Sequence, residues 1–398
     1  MIQYYQIRSP LHAPESMLTF ITTLQDTLGE EFRQCTLEEY LDAPFALLFV
    51  ASGGSEGFFL QDFERLRQKP CYLLTSGESN SLAASMEIVS YLNTHGGRGE
   101  ILHGDPERIC QQIQALRNAR RGLDALRGRT LGCIGTPSDW LIASTYDPQA
   151  VQKKLGLGYV SIPMEELTSE IARDTYEENE FTRAFAAADF SAEEIRKALA
   201  VWGALDRIVQ RYHLCGVSVR CFDLLSLVHT TGCLGLSILN SLGVYGGCEG
   251  DMPSLLSMAI LGSVTGQSVF MCNPSRFDTR SGKAVFAHCT VPVTALQSWQ
   301  LNTHFESGIG AAVQGVFDEG SCTLFKCSGS LDRYHVQEGS ICPAPFDPML
   351  WRTQVTVRLD DFEYFLKNPI HNHHILCKGQ HAAELRAFFD LLATSADC

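Results

Sequence analysis

Phe45-Ala-Leu-Leu-Phe-Val-Ala51 is an unbroken apolar run that stops at Gly53-Gly54. A short run with no polar alternation reads as a strand buried on both faces, the kind that parallel sheets require. The same texture recurs downstream. Cys71 to Leu74 is a second such strand, and a helix starts at Asn80 with Leu82, Met86 and Val89 at helical spacing. Ile101-Leu102 is a further short strand, followed by a helix from Pro106 to about Leu126. Strands alternating with helices predict a doubly wound parallel sheet. Gly53-Gly54 lies outside any G-x-G-x-x-G or G-K-[ST] pattern and reads as a turn.

A second alternating block opens at Thr130-Leu-Gly-Cys-Ile134, after the basic run Arg117 to Arg129, which reads equally as a domain boundary or a solvated face. Its clearest helix carries the capping box Ser191-x-x-Glu194 and runs to about His213, into the strand Val217 to Val219. Beyond residue 276 the texture changes. Ala284 to His288, Ala311 to Phe317, Ser321 to Cys327 and Thr353 to Leu359 read as strands, the last with period-2 alternation of Val355, Val357 and Leu359. A closing helix carries Leu385, Phe388, Phe389 and Leu392 on one face. The expected architecture is α/β: two Rossmann-like doubly wound domains, residues 1–127 and 128–275, then a mainly antiparallel, barrel-like β domain over 276–398.

Composition narrows the function. The chain has 398 residues, 45% of them hydrophobic and 19% charged, which excludes a disordered chain. A net charge of -14 from 45 acids and 31 bases argues against nucleic acid and anionic membranes as partners. The 15 cysteines are scattered without a Cys-x-x-Cys and read as small buried apolar residues. Free thiols and an amino terminus without the pattern of a signal peptide predict a cytoplasmic protein.

One segment stands apart. Residues 224 to 275 hold no Lys and no Arg, and their only acids are Glu249 and Asp251. The flanking uncharged runs contain His229, Asn240 and Asn273, which lipid would leave unpaired, so the segment is the buried middle of a soluble protein. A buried carboxylate needs a partner. Either distant Lys or Arg side chains reach in, or a metal ion does. Asp251, close before Pro253, also suits a helix N-terminus. Candidate imidazoles are His288, at the end of a strand, and His371, His373 and His374 before the last helix, where a surface cluster is the plain alternative. Oxygen and imidazole donors suit Mn²⁺ or a similar divalent ion. Cys248, Cys272 and Cys289 should turn away from it.

Cys248-Glu-Gly-Asp-Met, with Leu256-Ser-Met, Gly266 and Val269-Phe-Met, resembles the metal-binding segment of the L-fucose isomerase and L-arabinose isomerase superfamily. Asn372-His-His-Ile, with Gly379 and Glu384-Leu385, resembles the end of fucose isomerase, and His288-Cys289 the histidine strand of arabinose isomerase. Asn80-Ser-Leu-Ala-Ala and Ser138-Asp-Trp-Leu-Ile are similar to phrases of the shorter fucose isomerase-like proteins. The resemblance implies a metal-dependent aldose–ketose isomerase that holds Mn²⁺ and a small sugar or polyol and assembles as a trimer or hexamer. It places metal ligands at Glu249, Asn273, His288 and His373, and a substrate contact at His374, which is also the fallback ligand. Catalytic roles fall on Glu249, Asn273 and Asp251. The family's second acid is replaced here by Asn273, whose amide can ligate but cannot act as a base near neutral pH. Asp251 or Asp278 could supply that acid by position. The rival expectations are a metal-dependent lyase or transferase on a ketose or sugar acid, and a non-catalytic sugar-binding protein.

Overall fold

In a computed structural model of the protein, residues 1–11 and 15–395 are described. The fold is mixed α/β, with two parallel sheets and a closed six-stranded antiparallel barrel. The chain divides into two compact units, Met1–Arg120 with the chain from Ala387, and Arg121–Arg386, the first division falling inside the helix Pro106–Leu126. Among the described residues no helix is long and apolar enough to cross a membrane.

The first unit carries β1 (Ile2–Ile7), β2 (Phe32–Gln34), β3 (Leu47–Val50), β4 (Cys71–Leu74) and β5 (Gly99–Leu102). They form an all-parallel sheet in the order β2-β1-β3-β4-β5. All four residues of β3 are fully buried, as its unbroken apolar run requires. The helix Ser81–Thr94 differs from the spacing expected of it. Its buried face is Ser81, Ala84, Ser85, Ile88 and Leu92, while Met86 is 60% exposed. Small residues at that face let the helix backbone approach its neighbours closely, and the longer Met is left outside.

The second unit begins with β6 (Thr130–Ile134), β7 (Gly158–Ile162), β8 (Leu214–Val219) and β9 (Tyr245–Cys248), parallel in the order β7-β6-β8-β9. Ser191 caps the helix Ala192–Arg211 by accepting from the Glu194 N–H. The glutamate half of the expected box does not form. Glu194 instead accepts from the Gly310 N–H at 2.8 Å and pairs with Lys197.

The barrel comprises β10 (Phe270–Asp278), β11 (Lys283–His288), β14 (Gly320–Cys327), β15 (Tyr334–Cys342), β16 (Thr353–Arg358) and β17 (His374–Lys378). Its order is β10-β11-β16-β15-β14-β17, closed by pairing of β17 with β10. The barrel therefore starts at Phe270, ahead of the boundary expected at 276. β12 (Ser298–Asn302) and β13 (Ala312–Val316) form a separate two-stranded sheet. β13 lies beside β16 without a ladder. The Thr353 hydroxyl bridges the gap, accepting from the Gly315 N–H and donating to the Val313 carbonyl.

The helix Met252–Thr265 joins sheet to barrel. It is apolar nearly all round and packs against β8, β9, β14 and β17. A helix with no polar face must be buried on every side, which accounts for the uncharged segment around it.

Candidate metal centre

β9 ends at Cys248, and the chain then turns through two left-handed residues, Glu249 (φ +63) and Gly250 (φ +66). A non-glycine residue there costs about 1–2 kcal/mol, so its surroundings must hold it. They do: the Glu249 carbonyl accepts from the Ser138 N–H at 2.9 Å, and the Gly250 N–H donates to Val219. A Cβ at Gly250 would come within 2.5 Å of the Thr136 carbonyl oxygen, so only glycine permits this approach.

The turn presents Glu249 to two imidazoles from the barrel. Glu249 Oε1 lies 3.5 Å from His373 Nε2 and 3.8 Å from His288 Nε2. Oε2 accepts a 2.6 Å hydrogen bond from the Trp140 indole. Donor atoms of Glu249, His288 and His373 all lie within 4.8 Å of one another, and the cluster could hold a metal ion. Metal–ligand distances of about 2.0–2.2 Å place neighbouring donors roughly 3–3.6 Å apart, close to the separations here. His373 Nε2 and both nitrogens of His288 are buried without a hydrogen-bond partner. Buried polar atoms left unsatisfied ask for an explanation, and a shared cation supplies one. Burial alone would raise the Glu249 carboxyl, but His288 and His373 outweigh it and hold the group well below the usual carboxylate range.

Asp251 stands two residues on and is engaged elsewhere. It caps the helix Met252–Thr265, Oδ1 accepting from the Ser254 N–H at 2.8 Å. Its Oδ2 accepts from the Ser254 hydroxyl at 2.7 Å and from His373 Nδ1 at 2.8 Å. Lys326, fully buried on β14, donates to the same serine hydroxyl at 2.5 Å. A distant lysine thus reaches in toward Asp251 through Ser254, while Glu249 sits in a cluster that could hold a metal ion. Burial is outweighed at Asp251 by Lys326, His373 and Ser254, which keep it ionised. His373 is consequently lifted to about 9 against its own burial by Asp251 and Glu249. Its Nδ1–H is committed to Asp251, so Nε2 is the atom free for a ligand, the carboxylate–histidine arrangement of metal sites.

The remaining expected residues divide. Asn273, on β10, lines the cleft beside Glu249, and its amide oxygen accepts from Asn372 at 3.4 Å. The β10 register shifts between Pro274 and Arg276, which admits a proline inside a barrel strand. His374 is turned away from Glu249. Its Nδ1–H donates to the Asn372 carbonyl and its Nε2 accepts from the Tyr364 hydroxyl, each at 3.0 Å, and burial pushes it down to about 3. A ring with both nitrogens satisfied and no exposed surface has nothing to offer a substrate, because successive residues of an extended segment face opposite ways. Asp278 lies at the exposed far end of β10, where its oxygens hold the turn to β11 through Arg280 and Ser281. Asp251 is not among the residues lining the cleft. Cys248, Cys272 and Cys289 bond elsewhere, to Cys221, the His374 carbonyl and Cys233.

A cleft of about 270 Å³ reaches the cluster at Glu249 and is lined by Trp140, Phe222, Glu249, Asn273, Glu306, Trp351 and Asn372. Trp140 meets Phe222 edge-on and His288 stacks flat on Trp351. Glu306 is a second carboxylate in this cleft, raised by burial and by Glu249. A larger cavity of about 770 Å³, lined among others by Trp299, Gln314 and Gln354, shares no residue with the cluster. Sequence reasoning missed Phe222, Glu306, Trp351 and Lys326. Only Lys326 carried a signal, as the single base in the apolar strand Cys322-Thr-Leu-Phe-Lys-Cys327.

Compared with known protein families and with curated proteins, the sequence matches none.

Proposed function

We propose that the protein is a metal-dependent enzyme acting on a small sugar, an aldose–ketose isomerase resembling the L-fucose and L-arabinose isomerases, with Mn²⁺ as its ion. In this reading the two parallel sheets are Rossmann-like, and the chain works as a cytoplasmic trimer or hexamer. The free thiol state of every described cysteine supports a reducing compartment.

The observation that carries the reading is the convergence of Glu249 with two unpartnered imidazole nitrogens, His288 Nε2 and His373 Nε2, beside a cleft of about 270 Å³ that Glu249 lines. Glu249, His288 and His373 would hold the ion, and Asn273, which lines the same cleft as Glu249, would add an amide oxygen. When bound, a divalent ion polarises carbonyl and hydroxyl oxygens. The chain's own residues do the rest. Trp140, Phe222 and Trp351 offer apolar faces to the C–H side of a sugar and exclude water. Asn273 and Asn372 offer amides to its hydroxyls. Isomerisation moves one proton from C2 to C1 and one from O2 to O1. With an amide at position 273, Glu306 is the cleft carboxylate able to carry a proton beside Glu249, and its raised affinity for protons suits that task.

The same amide favours one rival, a lyase or transferase acting on a ketose or sugar acid. Metal analysis followed by an aldose panel scored for ketose tests the leading reading. The expected result is bound divalent metal with slow isomerisation, which Asn273→Asp raises together with Mn²⁺ affinity. Loss of activity in Asn273→Asp with metal retained moves the lead to the lyase or transferase. Sugar binding without turnover in either protein leaves a sugar-binding role.

A further inference from the structure

A second cluster lies behind the first and shares none of its donors. Cys233 opens the helix Cys233–Ser241, and Cys289 follows β11 directly. Their sulfurs are 3.1 Å apart. An imidazole nitrogen of His304 completes a triad whose donor atoms all lie within 4.8 Å of one another. All three residues are buried. His288 and Cys289 are neighbours that face opposite ways, so one joins the Glu249 cluster and the other the thiol cluster.

Buried cysteines usually need no explanation beyond their size. Three features here go further. The two sulfurs approach one another from separate elements. The imidazole converges on the same point, whereas an ordinary core packing would place an aliphatic side chain there. The ring is also held in place: its Nδ1 accepts from the Ser307 N–H at 3.3 Å and lies 2.9 Å from the Ser307 hydroxyl, and the ring meets Phe222 and Trp351 in edge-type contacts.

We propose that Cys233, Cys289 and His304 form a second metal site, selective for a thiophilic ion such as Zn²⁺. Two thiolates and one imidazole are a known zinc donor set that leaves the fourth position open. Thiolates disfavour Mn²⁺, so the two clusters sort their ions by donor softness. Binding releases two thiol protons to solvent, forms two Zn–S bonds and one Zn–N bond, and oxidises nothing. Zn–S bonds of about 2.3 Å hold tetrahedral sulfurs roughly 3.7 Å apart, a small opening from the present separation. Occupancy would tie the His304 segment to the end of β11, directly behind the Phe222–Trp351 wall of the cleft.

The test uses reduced, chelator-stripped full-length protein titrated with Co²⁺ as a spectroscopic substitute for Zn²⁺, in wild type and in Glu249→Ala. The expected result in both is a sulfur-to-cobalt charge-transfer band that Zn²⁺ abolishes by displacement. Glu249→Ala loses Mn²⁺ binding but keeps the band, which separates this site from the isomerase reading. Cys233→Ala and Cys289→Ala should lose the band, Cys221→Ala should keep it, and His304→Gln should weaken Zn²⁺ binding about 10–100-fold. Should the cysteine variants fail to fold, X-ray absorption on zinc-loaded Glu249→Ala decides, with two sulfurs and a nitrogen expected around the ion. No charge-transfer band in the wild type, a band that survives in both cysteine variants, or a zinc shell without sulfur overturns the proposal.

Discussion

Glu249 and Asp251 sit two residues apart in one buried turn, yet the regions around them are opposites. At Asp251 every contact is made within the chain: the Ser254 amide and hydroxyl, His373 Nδ1 and, through the serine, Lys326. At Glu249 one oxygen has a single donor, Trp140, and the other faces two imidazole nitrogens at 3.5 and 3.8 Å that form no hydrogen bond. The first region is saturated and structural. The second is preorganised but incomplete. Both are buried carboxylates in one sequence neighbourhood, so saturation is what separates a scaffold acid from a candidate ligand. His373 links them, with one nitrogen on each side.

The strongest way to break this contrast is to exchange the effects of the two acids. Glu249→Ala should abolish measurable Mn²⁺ binding in isothermal titration while leaving the fold intact. Asp251→Ala should instead cost about 3–5 kcal/mol in urea unfolding, because it leaves Lys326 and His373 buried without their partner and removes a helix cap. If Glu249→Ala proves the more destabilising and still binds Mn²⁺ as the parent does, the assignment of the two regions is reversed.

Asp251→Asn sharpens the link between them. It keeps the cap and the shape but no longer fixes the Nδ1–H of His373, so Mn²⁺ affinity should fall about 10–100-fold. An unchanged affinity would mean that Asp251 does not position the ring.

Proton competition gives a smaller, graded effect. Without a bound cation, Asp251 and Glu249 lift His373 to about 9, whereas the Glu249 carboxyl is held low and burial lowers His288. A cation must displace the His373 proton, so affinity rises with pH, about tenfold per unit, and levels off near pH 9. Calorimetry in buffers of different ionisation enthalpy should count close to one proton released at pH 7. A flat profile between pH 6 and 9 would contradict it. The smallest effect is expected at His374, where His374→Gln should alter Mn²⁺ affinity less than twofold, since the ring bonds only Asn372 and Tyr364.

Much of this molecule is legible along the chain. A short apolar run bounded by turn residues, such as Leu47 to Val50, reads as a strand buried on both faces, and period-2 alternation in Thr353 to Arg358 as one buried face. Both rest on local periodicity, which needs no knowledge of what packs where. The isolation of Glu249 and Asp251 in a stretch without bases is likewise local, and it marks them as residues needing partners. Tertiary structure alone decided which partner each received. Lys326 lies far away in sequence and reaches Ser254 because β14 packs on the helix Met252–Thr265. His373 rather than His374 meets Glu249 because pairing of His374 with Cys272 sets which neighbour faces outward. Phe222, Glu306 and Trp351 reach the cleft from separate loops, and β13 pairs with β12 while a threonine hydroxyl links it to β16. Periodicity records which face of an element is buried. The identity of the group waiting there depends on contacts between distant segments, and these leave no mark in the local pattern.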